Sequence, residues 1–242
     1  MLKKILKYTI VIALLCYAVF ALVLIPMRNN SNRCKEVIVY IEGDKMGAMS
    51  REIVMEMLDK EGLNPLDIHV DSIVCSRIEK QLGALSLVKE CQVYMSTKGY
   101  LNIELDCKLP VIKVVENNGR TYYVDCEGDI IEGIQKALYL PVATGCVTDS
   151  MANTELKEIA NAINGDTFWT AQIEQFHFDK DGNVVIVPRV GDHIIEIGKA
   201  ENVEEKLKKL HTFYHKGINT IGWNKYSKLN IEFNGKVICT KR

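Results

Sequence analysis

The chain has 242 residues, 30 of them basic and 31 acidic, with 48% hydrophobic residues and five prolines. This is the composition of an ordered chain with enough apolar mass for one large or two small modules, and it contains no long block of like charge that would suggest a tail or a nucleic-acid binder. Its eight cysteines include no C-x-x-C pair, which leaves neither a redox motif nor a zinc site indicated.

The first element is the uncharged run 8–25, in which eleven residues are Leu, Ile, Val or Phe. As a helix rising about 1.5 Å per residue it would span about 27 Å, close to the roughly 30 Å of a bilayer's hydrocarbon core. The run is longer than the apolar core of a signal peptide, and Leu22-Val23-Leu24-Ile25-Pro26 offers no small residues for cleavage. An uncleaved anchor is therefore expected. Lys3, Lys4 and Lys7 precede it, against Arg28 and Arg33 after it. This asymmetry predicts a cytoplasmic tail at 1–7, a transmembrane helix at 8–25, and an exported remainder, as in a single-pass inner-membrane protein. Without the three lysines the remainder holds 27 basic and 31 acidic residues, a mildly acidic ectodomain. The run has no charge and no Gly-x-x-x-Gly, so specific helix pairing is not indicated.

Residues 26–34 read as a polar juxtamembrane linker. A β-branched strand follows at 37–41, and Ser50 is placed to cap a helix with Ile53, Val54, Met57 and Leu58 on one face, closed by Gly62 and Pro65. Asp71 is expected to cap a second helix that turns Ile73, Val74, Ile78 and Leu82 inward. Strands at 88–95 and 100–105 flank the turn 96–99, and Leu101, Ile103 and Leu105 alternate with Asn102, Glu104 and Asp106. The order strand–helix–helix–strand–strand over 35–109 resembles a POTRA module.

From Pro110 the pattern changes. Hairpins are expected at 111–115 with 121–124 and at 173–178 with 184–187, the second turned by Asp179-Lys180-Asp181-Gly182. Short strands are read at 130–131 and 193–197, and helices at 154–163 and 203–214, the latter with Leu207, Leu210 and Phe213 inward. Asn234-Gly235 predicts a tight terminal hairpin between 229–233 and 236–240. The fold class is thus α+β: a transmembrane helix, a POTRA-like module, then a mixed, mostly antiparallel β domain over 110–242 with two helices.

No catalytic constellation is present. His211 and His215 are spaced i, i+4, but no third ligand accompanies them, and His69, His177 and His193 are scattered. Asp179–Gly182 begins like a calcium loop without the closing Glu, and reads as a turn. Trp169 and Trp223, read as lying just before strands, and Tyr226 in a strand approach, are taken as packing residues. Cys91 and Cys107 are the best-placed disulfide pair across the 96–99 turn, with buried free thiols favoured over pairing. No enzyme activity, cofactor or metal is expected. A sheet whose last hairpin ends the chain can leave an open edge that accepts a partner's strand, or that edge can be internal or shielded by Lys241 and Arg242.

These features together resemble the bacterial FtsQ/DivIB cell-division family, across nearly the whole chain. Lys108-Leu109-Pro110-Val111 is similar to the family's basic-x-Pro-Val junction, with Leu109 between Lys108 and Pro110. Tyr122-Tyr123-Val124-Asp125 followed by Gly128 is similar to its Tyr-hydrophobic-Asp-x-x-Gly, and Leu140-Pro141 with Gly145 to its Leu-Pro…Gly turn. The closing segment, from Gly222-Trp223 to Cys239, resembles members from Bacteroidetes-like bacteria. The resemblance implies a non-enzymatic divisome scaffold at the septum. Its POTRA module would contact other division proteins, its residues 8–25 the lipid bilayer, and its last strands an FtsB–FtsL-like pair. On this sequence the implied contact residues are Tyr226, Leu229, Ile231, Phe233, Lys236, Val237, Ile238 and Thr240. A rival reading is a POTRA-bearing chaperone or translocation module of the envelope. That reading predicts further repeats or a membrane barrel, which the sequence does not show.

Overall fold

Local sequence rules account for most elements of the computed structural model, which describes residues 12–20, 32–218, 220 and 222–242. Residues 12–20 form a helix (α1) exposed at every position. The tail 1–7, the rest of the expected span 8–25 and residues 26–31 of the linker lie outside the described residues. Among the described residues no helix is long and apolar enough to cross a membrane.

The described chain divides into two compact units. The first comprises the residues up to Glu42 with Ser50–Ala84 and Glu90–Leu105. Its strands β1 (Glu36–Glu42), β2 (Val88–Met95) and β3 (Tyr100–Cys107) form a sheet in the order β1-β3-β2. Helix α2 (Arg51–Lys60) starts where Ser50 predicts, the serine side chain accepting from the Ile53 amide at 3.4 Å. Val54 and Leu58 of α2, Ile78 and Leu82 of α3 (Cys75–Gly83), and Leu101, Ile103 and Leu105 of β3 are all buried. Asp71 is not the cap of the second helix. It lies in a 3-10 turn (Val70–Ser72), α3 begins at Cys75, and Val74 is 60% exposed rather than inward. The chain just before this point is held extended, with Arg33 bridged to His69 and the Val70 amide donating to the Asn32 carbonyl at 2.9 Å, which delays the helix. Asn102, expected on the open face, is 8% exposed.

The second unit holds a mixed sheet of nine strands among the described residues. They are β4 (Ile112–Val115), β5 (Thr121–Val124), β6 (Ile130–Ile131), β7 (Val142–Gly145), β8 (Ile173–Phe178), β9 (Val184–Pro188), β10 (Ile194–Gly198), β11 (Tyr226–Asn230) and β12 (Ile238–Lys241). The order is β12-β11-β10-β9-β8-β7-β4-β5-β6. Three pairings are parallel (β4 with β7, β7 with β8, β10 with β11) and the other five antiparallel. One ladder row runs Cys239, Leu229, Ile195, Ile186, Phe176, Ala143, Val114, Tyr122 across eight strands. All but the half-buried Cys239 are buried in a single core cluster, so this face of the sheet carries the core.

Three helices, not two, supply the other half of that cluster: α4 (Lys157–Ile163), α5 (Thr167–Gln172) and α6 (Val203–Phe213). Six-residue α5 is too short to show helical periodicity; it forms because the Asp166 side chain accepts from the Phe168 and Trp169 amides. Trp169 is accordingly a buried helix residue rather than a strand-end one. Strand β7, unread in the sequence, is four residues long and sits inside the sheet between β8 and β4.

The terminal hairpin also differs from expectation. Its register pairs Asn230 with Ile238, so 231–237 form a connection instead of a two-residue turn. A type I′ turn needs positive φ at both central residues, and here Gly235 has φ +69° whereas Asn234 is not left-handed. Ile231 donates its amide to the Glu196 carbonyl at 2.9 Å, which holds it on the β10 side beyond the end of β11.

Candidate partner-binding edge

Two strands bound the nine-stranded sheet, and they are not equivalent. At one end β6 has two residues, and the next residue, Glu132, has both backbone groups engaged by Ser86 Oγ: the amide donates to it at 2.8 Å and the carbonyl accepts from it at 3.0 Å. At the other end β12 pairs, among the described residues, only with β11 and leaves its far side without a strand. Such an edge presents backbone donors and acceptors to an incoming extended segment.

The eight residues implied at the closing strands fall into two groups. Leu229 and Ile231 are fully buried core residues, and Val237 is half-buried against the same cluster. Phe233 (52% exposed) and Ile238 (50% exposed) turn outward, as do Lys236 and Thr240. Tyr226 is half-buried, its ring 6.4 Å from that of Phe213. It pairs with Lys241 ahead of an irregularity in β11 that brings Lys228 opposite Thr240. Solvent-facing apolar side chains and an open backbone ladder therefore occur on one strand and the connection before it.

The end of β12 is tied down from behind. The Arg242 amide donates to the Lys225 carbonyl at 3.3 Å, and its guanidinium donates to the Asp192 carbonyl at 2.9 Å and lies 3.3 Å from the Asp192 carboxylate. Next in sequence, His193 is 2% exposed, with Nε2 2.8 Å from the Tyr214 hydroxyl and, among the described residues, no partner at Nδ1. Trp223 packs on both, its ring 5.0 Å from Tyr214 and 6.1 Å from His193. Burial, then the charge of Arg242, depress the His193 pKa, with Asp192 acting weakly in the opposite sense. A histidine held neutral in the fold is protonated first in the unfolded chain. Stability from this site is thus complete above the ordinary histidine pKa of about 6.5 and falls as pH drops below it. Urea unfolding from about pH 7.5 to about pH 5.5 is expected to show that loss, and His193→Gln to flatten it. An unchanged slope in the variant would place the pH dependence elsewhere.

The remaining sequence landmarks are structural. Asp125 is 6% exposed and its Oδ1 accepts from the Glu127 and Asp129 amides at 2.9 and 2.8 Å, closing the turn that contains Gly128. Lys108 pairs with Asp129 at 2.5 Å, so the basic residue of the first motif meets the turn of the second. Asp179 caps its own turn through the Asp181 and Asn183 amides, both at 2.8 Å. The His211 and His215 rings lie 4.5 Å apart, and Phe168 meets His211 edge-on. Among the described residues no group of three or more His, Cys, Asp or Glu is arranged to hold a metal. The cysteines are free, and burial pushes the Cys91 and Cys107 thiols up to about 11, which keeps them protonated and slow to oxidise. No local signal marks Ser86 as the partner of Glu132, nor Lys209 of α6 as the lysine that reaches the β11–β12 connection.

A family model described as FtsQ/DivIB, C-terminal related, matches residues 109–240, and one described as a POTRA-like domain matches residues 32–106. No curated protein matches the chain.

Proposed function

The chain belongs to the FtsQ/DivIB family, a non-enzymatic family of cell-division proteins, and we propose that it is a divisome scaffold whose β12 edge receives a strand from an FtsB–FtsL-like partner. In this reading residues 8–25 anchor it in the inner membrane behind a cytoplasmic tail at 1–7. A linker at 26–34, a POTRA module at 35–109 and a β domain at 110–242 then lie on the periplasmic side at the septum. The POTRA module contacts other division proteins. The single observation that carries the proposal is the contrast between the two sheet edges: β6 is two residues long and the residue after it is bonded on both backbone groups by Ser86, whereas β12 is open among the described residues with Phe233, Ile238 and Thr240 facing out.

Charge gives the edge a preference. Residues 222–242 hold five basic residues and one acidic, in a chain of net charge −1. Arg242 and Lys228 are neutralised by Asp192 and Glu196, whereas Lys225, Lys236 and Lys241 have no ion-pair partner among the described residues. Free cations beside an open ladder favour an incoming strand with acidic flanks and make association salt-sensitive.

The test is titration calorimetry of the full-length protein against a purified FtsB–FtsL-like complex. Ile238→Glu, placed on the exposed face of β12, is expected to weaken binding about tenfold or more while circular dichroism is unchanged. Wild-type affinity in that variant, with the fold intact, sinks the edge reading. Midcell localisation of a fluorescent fusion tests the division role separately; a uniform envelope signal counts against it.

A further inference from the structure

Strand β12 is only as well placed as the seven-residue connection that precedes it, and between the buried Ile231 and the half-buried Val237 that connection has few backbone bonds to hold it. Its backbone bonds are the Ile231 amide to the Glu196 carbonyl and the Glu232 amide to Asn230 Oδ1 at 3.0 Å. A further restraint on its backbone comes from α6. Because β10 and β11 are parallel, they end side by side, and two lysines one helical turn apart reach those ends. The Lys206 ammonium donates to the Ile197 and Lys199 carbonyls, both at 2.8 Å. Lys209 donates to the Ile231 carbonyl at 2.8 Å and to the Phe233 carbonyl. Beside them Gly198 has φ +66°, and a Cβ there would fall 2.7 Å from Glu232 Cγ, so the connection is seated directly on the end of β10.

We propose that Lys209 is a positioning residue for the β12 edge, fixing the backbone that aims Phe233 outward and launches the open strand. One ammonium bridging two carbonyls two residues apart sets the direction of the chain between them. Phe233 can then be half exposed and still ordered, which lowers the entropy cost of receiving a partner. The proposal rests on the partner reading for its functional consequence but not for its structural one.

Two measurements on the full-length protein separate these. Lys209→Met keeps the aliphatic stem and removes both donated bonds. Hydrogen exchange read by mass spectrometry is expected to accelerate about tenfold over 231–241 and to stay unchanged over β8 and β9, since one charge-assisted bond stabilises by about that factor. Affinity for the FtsB–FtsL-like complex is expected to fall by a similar factor. Lys209→Arg, whose guanidinium can also donate to both carbonyls, is expected to restore exchange and affinity together. Unchanged exchange over 231–241 in Lys209→Met overturns the proposal. So does acceleration spread evenly over β8 and β9, which would mark the lysine as a general stabiliser. If Lys209→Met fails to fold, Lys209→Gln with the same exchange map takes its place. A wild-type protein that does not bind the complex overturns the partner reading, and the exchange contrast alone then supports or overturns the role of Lys209.

Discussion

Gly145→Ala is expected to destabilise the second unit by about 3 kcal/mol, the sum of a left-handed backbone penalty of about 1–2 and a clash of similar size. Gly145 has φ +90°, and a Cβ there would fall 2.2 Å from the Phe178 carbonyl oxygen and 2.9 Å from the His177 ring. Neither neighbour can move cheaply. Gly145 is the last residue of β7, directly opposite Phe178 in the parallel β7–β8 pairing, and the Cys146 amide donates to that same carbonyl at 2.9 Å. Strand β7 is also paired on its other side with β4, so the sheet has no free edge here along which to relax. At about 2–4 °C per kcal/mol for a domain of this size, the thermal midpoint should fall by roughly 10 °C. Gly119→Ala is the control. Its φ is +88°, but nothing lies within 4 Å of the added Cβ, so only the backbone penalty of about 1–2 kcal/mol applies. Equal shifts in calorimetry for the two variants would mean that the close approach to Phe178 is not what requires glycine in the Leu140-Pro141…Gly145 segment.

That contrast shows where the sequence was readable. Elements written in local chemistry were recovered: α2 from Ser50 and its apolar spacing, β8 and β9 from the Asp179–Gly182 turn, α6 from Leu207 and Leu210. Each depends on residues within one or two turns of chain. Strand β7 escaped because four residues carry no alternation, and its partners β4 and β8 are distant in sequence and parallel. Helix α5 escaped for want of length. The terminal turn was misread because Asn-Gly reports a local preference, while Ile231 is held by Glu196 on a strand more than thirty residues earlier. An error of this kind matters most at the candidate site. Which of the closing residues face outward is set by the pairing of Asn230 with Ile238, and no local signal fixes that register.

With the register in hand, Leu229→Ala and Phe233→Ala are expected to fail in opposite ways. Leu229 is fully buried, pairs with Ile195 on one side and Cys239 on the other, and belongs to the core row beneath the helices. Truncating a leucine in such a setting costs about 2–5 kcal/mol. The loss falls on the strand that carries β12, so binding suffers only through unfolding. Phe233 is 52% exposed and its backbone is fixed by Lys209, so removing its ring should change stability by no more than about 0.5 kcal/mol. The same ring is the largest exposed side chain of the connection that precedes the open edge. If it anchors the partner, its loss should weaken binding by about tenfold or more. Urea unfolding and calorimetric titration on both variants decide the matter. A Phe233→Ala protein that binds normally removes the ring from the interface. If its midpoint drops as far as that of Leu229→Ala, Phe233 belongs to the core despite its exposure. Only loss of affinity with retained stability is the signature of a residue held outward for a partner.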